Sequence, residues 1–104
     1  MSMVHELINV TTSGGDVTSS TIYPQRHDDE SGVYQITATA GTITTVQIFG
    51  RLGENHAWHQ LVTSGAINAS GGNQTASATI TIYPQMYVFL DVNSSPSCVV
   101  SIME

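Results

Sequence analysis

Basic residues are almost missing from this sequence of 104 residues: lysine is absent, and only Arg26 and Arg51 stand against eight acidic residues. The formal net charge is −6. The chain therefore offers no basic surface to neutralise phosphates, which is the main source of nucleic-acid affinity. Anionic membrane surfaces also attract basic segments. The sequence predicts a protein that has neither nucleic acid nor a membrane as a partner.

Cysteine and long apolar runs are also scarce. Cys98 is the single cysteine, which excludes an intrachain disulfide, and Val99 and Val100 beside it indicate a small buried hydrophobe rather than a nucleophile. No basic segment followed by an apolar run opens the chain, and no apolar run reaches the length that crosses a bilayer. We expect a soluble protein that is not cleaved after a signal peptide.

Charged residues of either sign make up only 10% of the chain, whereas a typical soluble domain has about 25%. Serine, threonine, asparagine and glutamine therefore supply most of the surface polarity. The length fits one domain, residues 1–104. A weakly charged surface resists association less than a heavily charged one, which suits an ordered assembly.

The chain does contain many short runs of β-branched and aromatic residues separated by clusters of Gly, Ser, Asn and Asp, a pattern typical of strands and turns. We predict strands at Val4 to Val10, Val17 to Tyr23, Gly32 to Thr39, Ile43 to Arg51, Trp58 to Thr63, Ala76 to Tyr83, Met86 to Val92 and Cys98 to Met103. The predicted turns are residues 12–15, 27–31, 41, 53–56, 69–74 and 93–97.

These elements predict an all-β fold, a single-domain antiparallel β-sandwich or barrel of about eight short strands, because no segment could serve as a crossover helix. In SATITIY, residues 77–83, the even positions Ala78, Ile80 and Ile82 alternate with a Thr-rich face. In MYVFLDV, residues 86–92, Tyr87 and Phe89 point away from the apolar face. We expect this second, aromatic face to be covered by another surface.

The pentapeptide TIYPQ occurs twice, at residues 21–25 and 81–85. Proline cannot donate to a sheet ladder and keeps the residue before it extended. Each copy is therefore interpreted as an extended segment that meets a bend or a sheet edge. The sequences after the two copies diverge, which favours a local architectural device over duplication of a whole unit.

No group of residues predicts catalysis, a metal or a cofactor. His27, Asp28, Asp29 and Glu30 lack the alternating ligand spacing of a calcium loop, and we interpret them as a solvated acidic hairpin tip. His56 and His59 are three residues apart and would point to opposite sides of a strand. Trp58 between them is interpreted as a core or interface anchor.

Three stretches resemble small virion structural proteins of tailed bacteriophages, most of all capsid decoration or cement proteins: GTITTVQIFGRLGENHAWHQL at 41–61, TIYPQMYVFLDV at 81–92 and CVVSIME at 98–104. Those proteins have a strand ending in Gly-Arg, a loop with a Trp that opens the next strand, an apolar strand entered through a proline, and a final strand near the C-terminus. The matching positions are Val46, Ile48, Gly50, Arg51, Trp58, Pro84, Met86, Val88 and Val99 to Glu104.

The resemblance implies a protein made in the host cytoplasm that binds the outer surface of the capsid and bridges subunits of the major capsid protein. It also implies self-association, as in the symmetric oligomers, often homotrimers, of decoration proteins. Residues 1–12 are either an extended N-terminal arm that adds a strand to a neighbour or the ordinary first strand of the domain. The candidate partner-binding residues are Val4, Leu7, Ile8, Arg51, Trp58, Tyr87 and Phe89.

A tail or fibre component that binds carbohydrate is the alternative. Trp58, Tyr23, Tyr83 and Tyr87 could stack on sugar rings while Asn and Gln side chains supply hydrogen bonds. Aromatic residues make up only 7% of the chain, however, and we expect packing to need most of them.

Overall fold

The computed structural model describes residues 4–11, 15–24 and 31–103. These residues contain no helix, and their seven strands form one antiparallel sheet that curls into a half-barrel, so the all-β prediction is confirmed. The strands are β1 (Val4–Thr11), β2 (Val17–Thr18), β3 (Ser31–Arg51), β4 (His59–Thr63), β5 (Ile67–Asn68), β6 (Gln74–Thr81) and β7 (Gln85–Met103).

Two long strands, β3 and β7, form the spine of the sheet. They pair antiparallel from Val33 opposite Met103 to Arg51 opposite Gln85. Around the first pair, β6 flanks β3 and β1 flanks β7; we call these four strand segments the β1–β6 half. Around the second pair, β4 and β5 flank β3 and β2 flanks β7; we call this the β2–β4 half.

The two halves meet at an irregular stretch in the middle of the spine. The ladder shifts register repeatedly between Ala38 and Thr45 on β3, opposite Cys98 to Asp91 on β7. The ends of the stretch are seven positions apart on each strand, so the register is the same on both sides of it. The same parity of residues therefore faces inward in both halves.

The predicted turns at Gly41 and at residues 93–97 are wrong, because both positions lie inside the long strands. Gly41 has a φ of 73°, a left-handed conformation that a residue without a β-carbon adopts at low cost. Such a residue belongs to bulges as well as to turns. The chain here bends without leaving the ladder.

The bend folds β3 back on itself, as the link between β6 and β7 demonstrates. Gly32 lies against the side chain of Ile82, and Gly50 lies against the ring of Tyr83. A straight strand would separate Gly32 from Gly50 by about 60 Å, yet Ile82 and Tyr83 are adjacent in sequence. The two ends of β3 must therefore lie close together.

The inner sides of the two halves share one hydrophobic core. Both halves contribute side chains that are almost wholly buried. The core residues are Leu7, Ile36, Ala38, Ile43, Val46, Ile48, Ala69, Ile80, Ile82, Met86, Val88, Leu90, Cys98, Val100 and Ile102. Burying a side chain of this size contributes about 1.5–3 kcal/mol to folding. The outer faces of the two halves consequently lie on opposite sides of the core.

The first TIYPQ copy pairs with the residue that directly follows the second copy. In the first, Ile22 and Met86 exchange backbone hydrogen bonds of 2.8 and 3.1 Å, and Pro24 is buried. The second leads from the end of β6 at Thr81 to the start of β7 at Gln85. Gln25 lies outside the described residues. The repeat thus joins a short edge segment to the strand that follows the second copy.

Two serines attach edge segments to the spine in the same way. The amide of Ser19 donates to the carbonyl of Val88, and the amide of Val88 donates back to the Ser19 hydroxyl, both at 2.9 Å. Ser64 makes the same pair of 2.9 Å bonds with Val46 on β3. A hydroxyl oxygen therefore replaces the carbonyl that a regular strand would present, and both buried valine amides are satisfied.

Candidate functional site

Five half-buried side chains project from the outer face of the β2–β4 half, and we call them the aromatic face: Phe49, Arg51, Trp58, Tyr87 and Phe89. Alternation places the four residues of β3 and β7 there, because Ile48 and Val88 on the same strands point into the core, and Trp58 joins them from the segment before β4. Phe49 and Tyr87 are directly opposite each other in the β3–β7 ladder. The predicted aromatic face of MYVFLDV is thus extended across a second strand.

The rings of the aromatic face pack on one another. Phe49 and Tyr87 stack with 4.9 Å between centroids and 10° between ring planes. Trp58 meets Tyr87 edge to face at 4.7 Å and 86°. Offset stacks and edge-to-face pairs of this kind add about 0.5–1.5 kcal/mol beyond area burial. The rings therefore hold each other in fixed orientations.

Arg51 completes the cluster. Its guanidinium carbon lies 4.2 Å from the centroid of Trp58, a cation–π contact. Its Nε donates a 2.6 Å hydrogen bond to Oε1 of Gln85, the residue opposite in the ladder. Arg51 is one of only two basic residues in the sequence. The cluster thus places a positive charge, held in position by two contacts, on an acidic protein.

An open cleft of about 330 Å³ runs beside the aromatic rings. It is also lined by Thr18, Ser19 and Thr21, from the segment around β2. The Ser19 hydroxyl is already used, since it accepts from Val88 and donates to the carbonyl of Ser20 at 3.0 Å. The cleft is therefore a groove between the edge segment around β2 and the aromatic face.

A second apolar patch lies on the outer face of the β1–β6 half. Val4, Met103 and Val33 are neighbours across β1, β7 and β3, and their side chains are exposed. Val4 is 65% exposed. We call these three residues the valine–methionine row. Because the halves share one core, this row and the aromatic face lie on opposite sides of the domain.

The three candidate partner-binding residues near the N-terminus, Val4, Leu7 and Ile8, differ in how deeply they are buried. Residues 4–11 pair with β7 as strand β1, so within the described residues they form the ordinary first strand rather than an extended arm. Leu7 is buried in the core, and Ile8 packs against it. The side chain of Leu7 packs in this chain's own core, and its partner-binding role stays a prediction. Val4 remains accessible.

The candidates for chemistry are separated in the structure. His56 lies exposed in the turn after β3, and the ring of His59 is 6.3 Å from that of Tyr83. Among the described residues no group of three or more His, Cys, Asp or Glu side chains could hold a metal ion. The acidic run at 27–30 lies outside the described residues.

Cys98 is buried in the core, as its apolar neighbours predicted. Burial raises the pKa of its thiol to about 11, because the apolar surroundings disfavour the thiolate. A thiol with a raised pKa is a poor nucleophile near neutral pH.

Sequence reasoning missed Phe49, Val33 and Met103 as surface residues. The alternation of the strand could have identified Phe49 as a surface residue. Val46 and Ile48 at even positions face the core, and Phe49 at an odd position faces outward. Gln85 was also missed, since its contact with Arg51 depends on the β3–β7 register. That register spans residues far apart in sequence.

The part of the chain that the structure describes contains no helix that is long and apolar enough to cross a membrane. Comparison with protein-family models, curated proteins and solved structures found no match to this chain.

Proposed function

We propose that this chain is a structural binding protein of a phage particle, which attaches to the outer surface of the capsid as a symmetric oligomer and stabilises the shell by bridging coat subunits. The observation that carries the proposal is the aromatic face. Trp, Tyr and Arg are the residues most enriched at the energetic centres of protein interfaces. Here Trp58, Tyr87 and Arg51 are in contact with one another on an outward surface.

The packing of the rings favours a protein partner over a sugar. A sugar ring stacks on the open face of an aromatic side chain, as bases stack on aromatic platforms. Phe49 and Tyr87 turn faces towards each other, and Arg51 covers one face of Trp58. Pre-ordered rings lose little side-chain entropy when a protein surface covers them. The aromatic face therefore suits a broad, flat contact.

Bridging requires two contact surfaces, and the domain has two candidates. The aromatic face and the valine–methionine row lie on opposite sides of the core. Contiguous apolar surface of this kind commonly marks an interaction site. An acidic protein also suits the exterior of a particle, since packaged DNA repels it.

A receptor-binding tail or fibre module that recognises carbohydrate is the second candidate. The cleft beside the rings favours it, because both aromatic and hydroxyl-bearing residues line it, and small-ligand sites combine an apolar lining with a few polar groups. The Ser19 hydroxyl is occupied by backbone groups. Thr18 and Thr21 would have to provide the recognition.

The first test measures the copy number of this chain relative to the major capsid protein in purified particles of the virus that encodes it, by quantitative mass spectrometry. A ratio of about one, or another simple fraction set by shell symmetry, is expected. A few copies per particle would favour the tail or fibre candidate. Absence from the particles would overturn both.

The second test uses the aromatic face itself. Particles lacking the chain are mixed with purified wild-type protein, Tyr87→Ala or the control Thr63→Ala, which alters an exposed residue of β4. We expect Tyr87→Ala to lose binding by about tenfold or more, while circular dichroism stays unchanged and the control binds normally. Normal binding by a folded Tyr87→Ala would remove the aromatic face from the proposal. Competition by free glycans would support the second candidate.

A further inference from the structure

Strand β6 is held on one side only. It pairs with β3 through eight consecutive residues, from Ser31 opposite Thr81 to Ala38 opposite Gln74, without a register shift. No other strand of the described residues pairs with its outer edge. A straight edge with unpaired backbone groups is a template for adding another strand.

The side chains of β6 are also largely uncovered. Every residue from Gln74 to Thr79 is exposed, and only Ile80 is buried. The alternation in SATITIY predicts an inward face that includes Ala78, yet Ala78 is exposed. A strand that is open on both faces and one edge has little packing to stabilise it. The first six residues of β6 therefore lack the contacts that usually hold a strand in place.

The other edges carry features that discourage strand addition. β1 contains the charged Glu6 and a register shift between Glu6 and Ile8. β4 has five residues and pairs with a register shift, and β2 has two residues. Charges, bulges and shortness are the devices by which natural sheets block edge pairing. β6 has none of them.

The charge distribution favours a second copy of this chain as the partner of the β6 edge. The sequence has no Asp, Glu, Lys or Arg in the 36 residues from Asn55 to Leu90, and β6 lies in the middle of this segment. Each chain carries a formal charge of −6, so two copies repel unless their interface avoids the carboxylates. The β6 edge is where a second copy can approach at the lowest electrostatic cost.

We propose that β6 pairs antiparallel with β6 of a second copy about a two-fold axis. The arrangement is self-complementary, as a two-fold interface requires. With Ser77 on the axis, Thr75 lies opposite Thr79 of the partner and Ala76 opposite Ala78 of the partner. Cross-strand Thr–Thr pairs are favourable. The two β1–β6 halves then form one continuous sheet of eight strand segments.

This pairing rests on the self-association that is part of the proposed function, and it specifies the surface. It leaves the aromatic face of each copy free, because that face belongs to the other half of the sheet. A dimer would therefore carry two aromatic faces. One dimer could contact two coat subunits.

The first test measures the mass of the purified protein by light scattering and sedimentation equilibrium. We expect twice the chain mass of 11.1 kDa. Ser77→Lys places like charges opposite each other on the axis and is expected to weaken the dimer about tenfold or more. Thr63→Lys on the β4 edge is the matched control and should remain dimeric. A wild-type monomer, a mass of three chains, or an unaffected Ser77→Lys dimer would overturn the proposal.

The second test does not depend on disrupting the strand. In Ser77→Cys, the paired α-carbons lie about 4.5–5.5 Å apart, within the range of about 4.4–6.8 Å that a disulfide spans, so mild oxidation should join the two chains. The buried Cys98, with its raised pKa, makes wild-type protein a suitable unlinked control. Thr63→Cys controls for random collision. Equal cross-linking of Ser77→Cys and Thr63→Cys would contradict the two-fold pairing.

Both tests use purified protein without particles. A monomeric wild-type chain that still binds capsids would refute the β6 pairing and leave the capsid role intact. A dimeric chain that is absent from particles would support the β6 pairing and refute the capsid role.

Discussion

The ring of Tyr83 lies directly on the backbone of Gly50: a β-carbon on residue 50 would come within 2.8 Å of Cγ and 2.9 Å of Cβ in Tyr83. At the other end of β3, a β-carbon on Gly32 would collide with the carbonyl of Met103 and come within 2.7 Å of Cδ1 in Ile82. The absence of side chains at both ends of β3 therefore lets the Ile82–Tyr83 segment cross over them.

Gly50→Ala is expected to reduce the free energy of unfolding by about 1–3 kcal/mol, the usual cost of overpacking. Cβ of Tyr83 is fixed by the backbone, so a rotamer change cannot relieve its clash with the new methyl group. Chemical denaturation measures the loss. Gly65→Ala is the control, because a β-carbon there meets nothing within 4 Å, and we expect a change below about 0.5 kcal/mol.

The double variant Gly50→Ala/Tyr83→Gly distinguishes the clash from a backbone effect, because glycine at 83 removes Cβ as well as the ring. If the clash is the cause, the cost of Gly50→Ala nearly disappears when Tyr83 is already Gly, and the two changes are not additive. Additive losses would show that residue 50 is glycine for another reason.

Ser19→Ala and Ser64→Ala are each expected to cost about 1–3 kcal/mol, because each leaves the amide of a fully buried valine without an acceptor. Ser20→Ala, at an exposed position beside Ser19, should cost much less. Amide exchange gives the sharper measurement, since protection should fall at Val88 in the first variant and at Val46 in the second. Unchanged protection at both valines would contradict the role of the serines.

Cys98 should make stability fall at alkaline pH. Its pKa rises from 9.0 to about 11 on burial. Below pH 9 the thiol is protonated in both states; between pH 9 and 11 the unfolded chain loses the proton and the folded chain keeps it. Unfolding is therefore favoured as the pH rises, by up to about 1.4 kcal/mol per pH unit.

The comparison with Cys98→Ala isolates this effect from the titration of tyrosines. The free energies of unfolding of the two proteins should differ by a constant below pH 9. Between pH 9 and 11 the free energy of unfolding of the wild type should decrease relative to that of the variant. A constant difference over the whole range would mean that the thiol does not titrate differently on folding.

Arg51→Ala should expose Trp58, the single tryptophan of the chain. We expect a red shift of its fluorescence, easier quenching by acrylamide and a loss of about 0.5–1 kcal/mol in stability. Arg51→Lys keeps the charge but lacks the planar guanidinium, so its emission should lie between those of the other two proteins. Identical emission in all three would mean that Arg51 does not cover the ring in solution.

The strands of the fold could be predicted better than their connections. Alternation identified Ile80, Ile82, Val88 and Leu90 as core residues. The turn predicted at Gly41 failed because glycine marks a left-handed residue, and such a residue serves a bulge as well as a turn. Only the pairing partner decides between them, and that partner, β7, is distant in sequence.

The candidate site was predicted in part for the same reason. Tyr87 and Phe89 could be assigned to an outward face from one strand alone. Their contacts with Phe49 and Trp58 depend on how three strands align. The burial of Leu7 in the core could not be predicted, because an apolar first segment looks the same whether it covers its own core or a neighbour's.

The β3–β7 ladder also sets the order of events during synthesis. Its paired residues are separated in sequence by 34 positions at Arg51 and Gln85 and by 70 at Val33 and Met103. Domains dominated by such distant pairings fold slowly, on a scale of about milliseconds to seconds. On the ribosome, β1 and β3 have no central partner until residues 85–103 have emerged. The domain must therefore complete its fold after nearly all of the described residues have been synthesised. During that time β6 and its uncharged edge are already exposed.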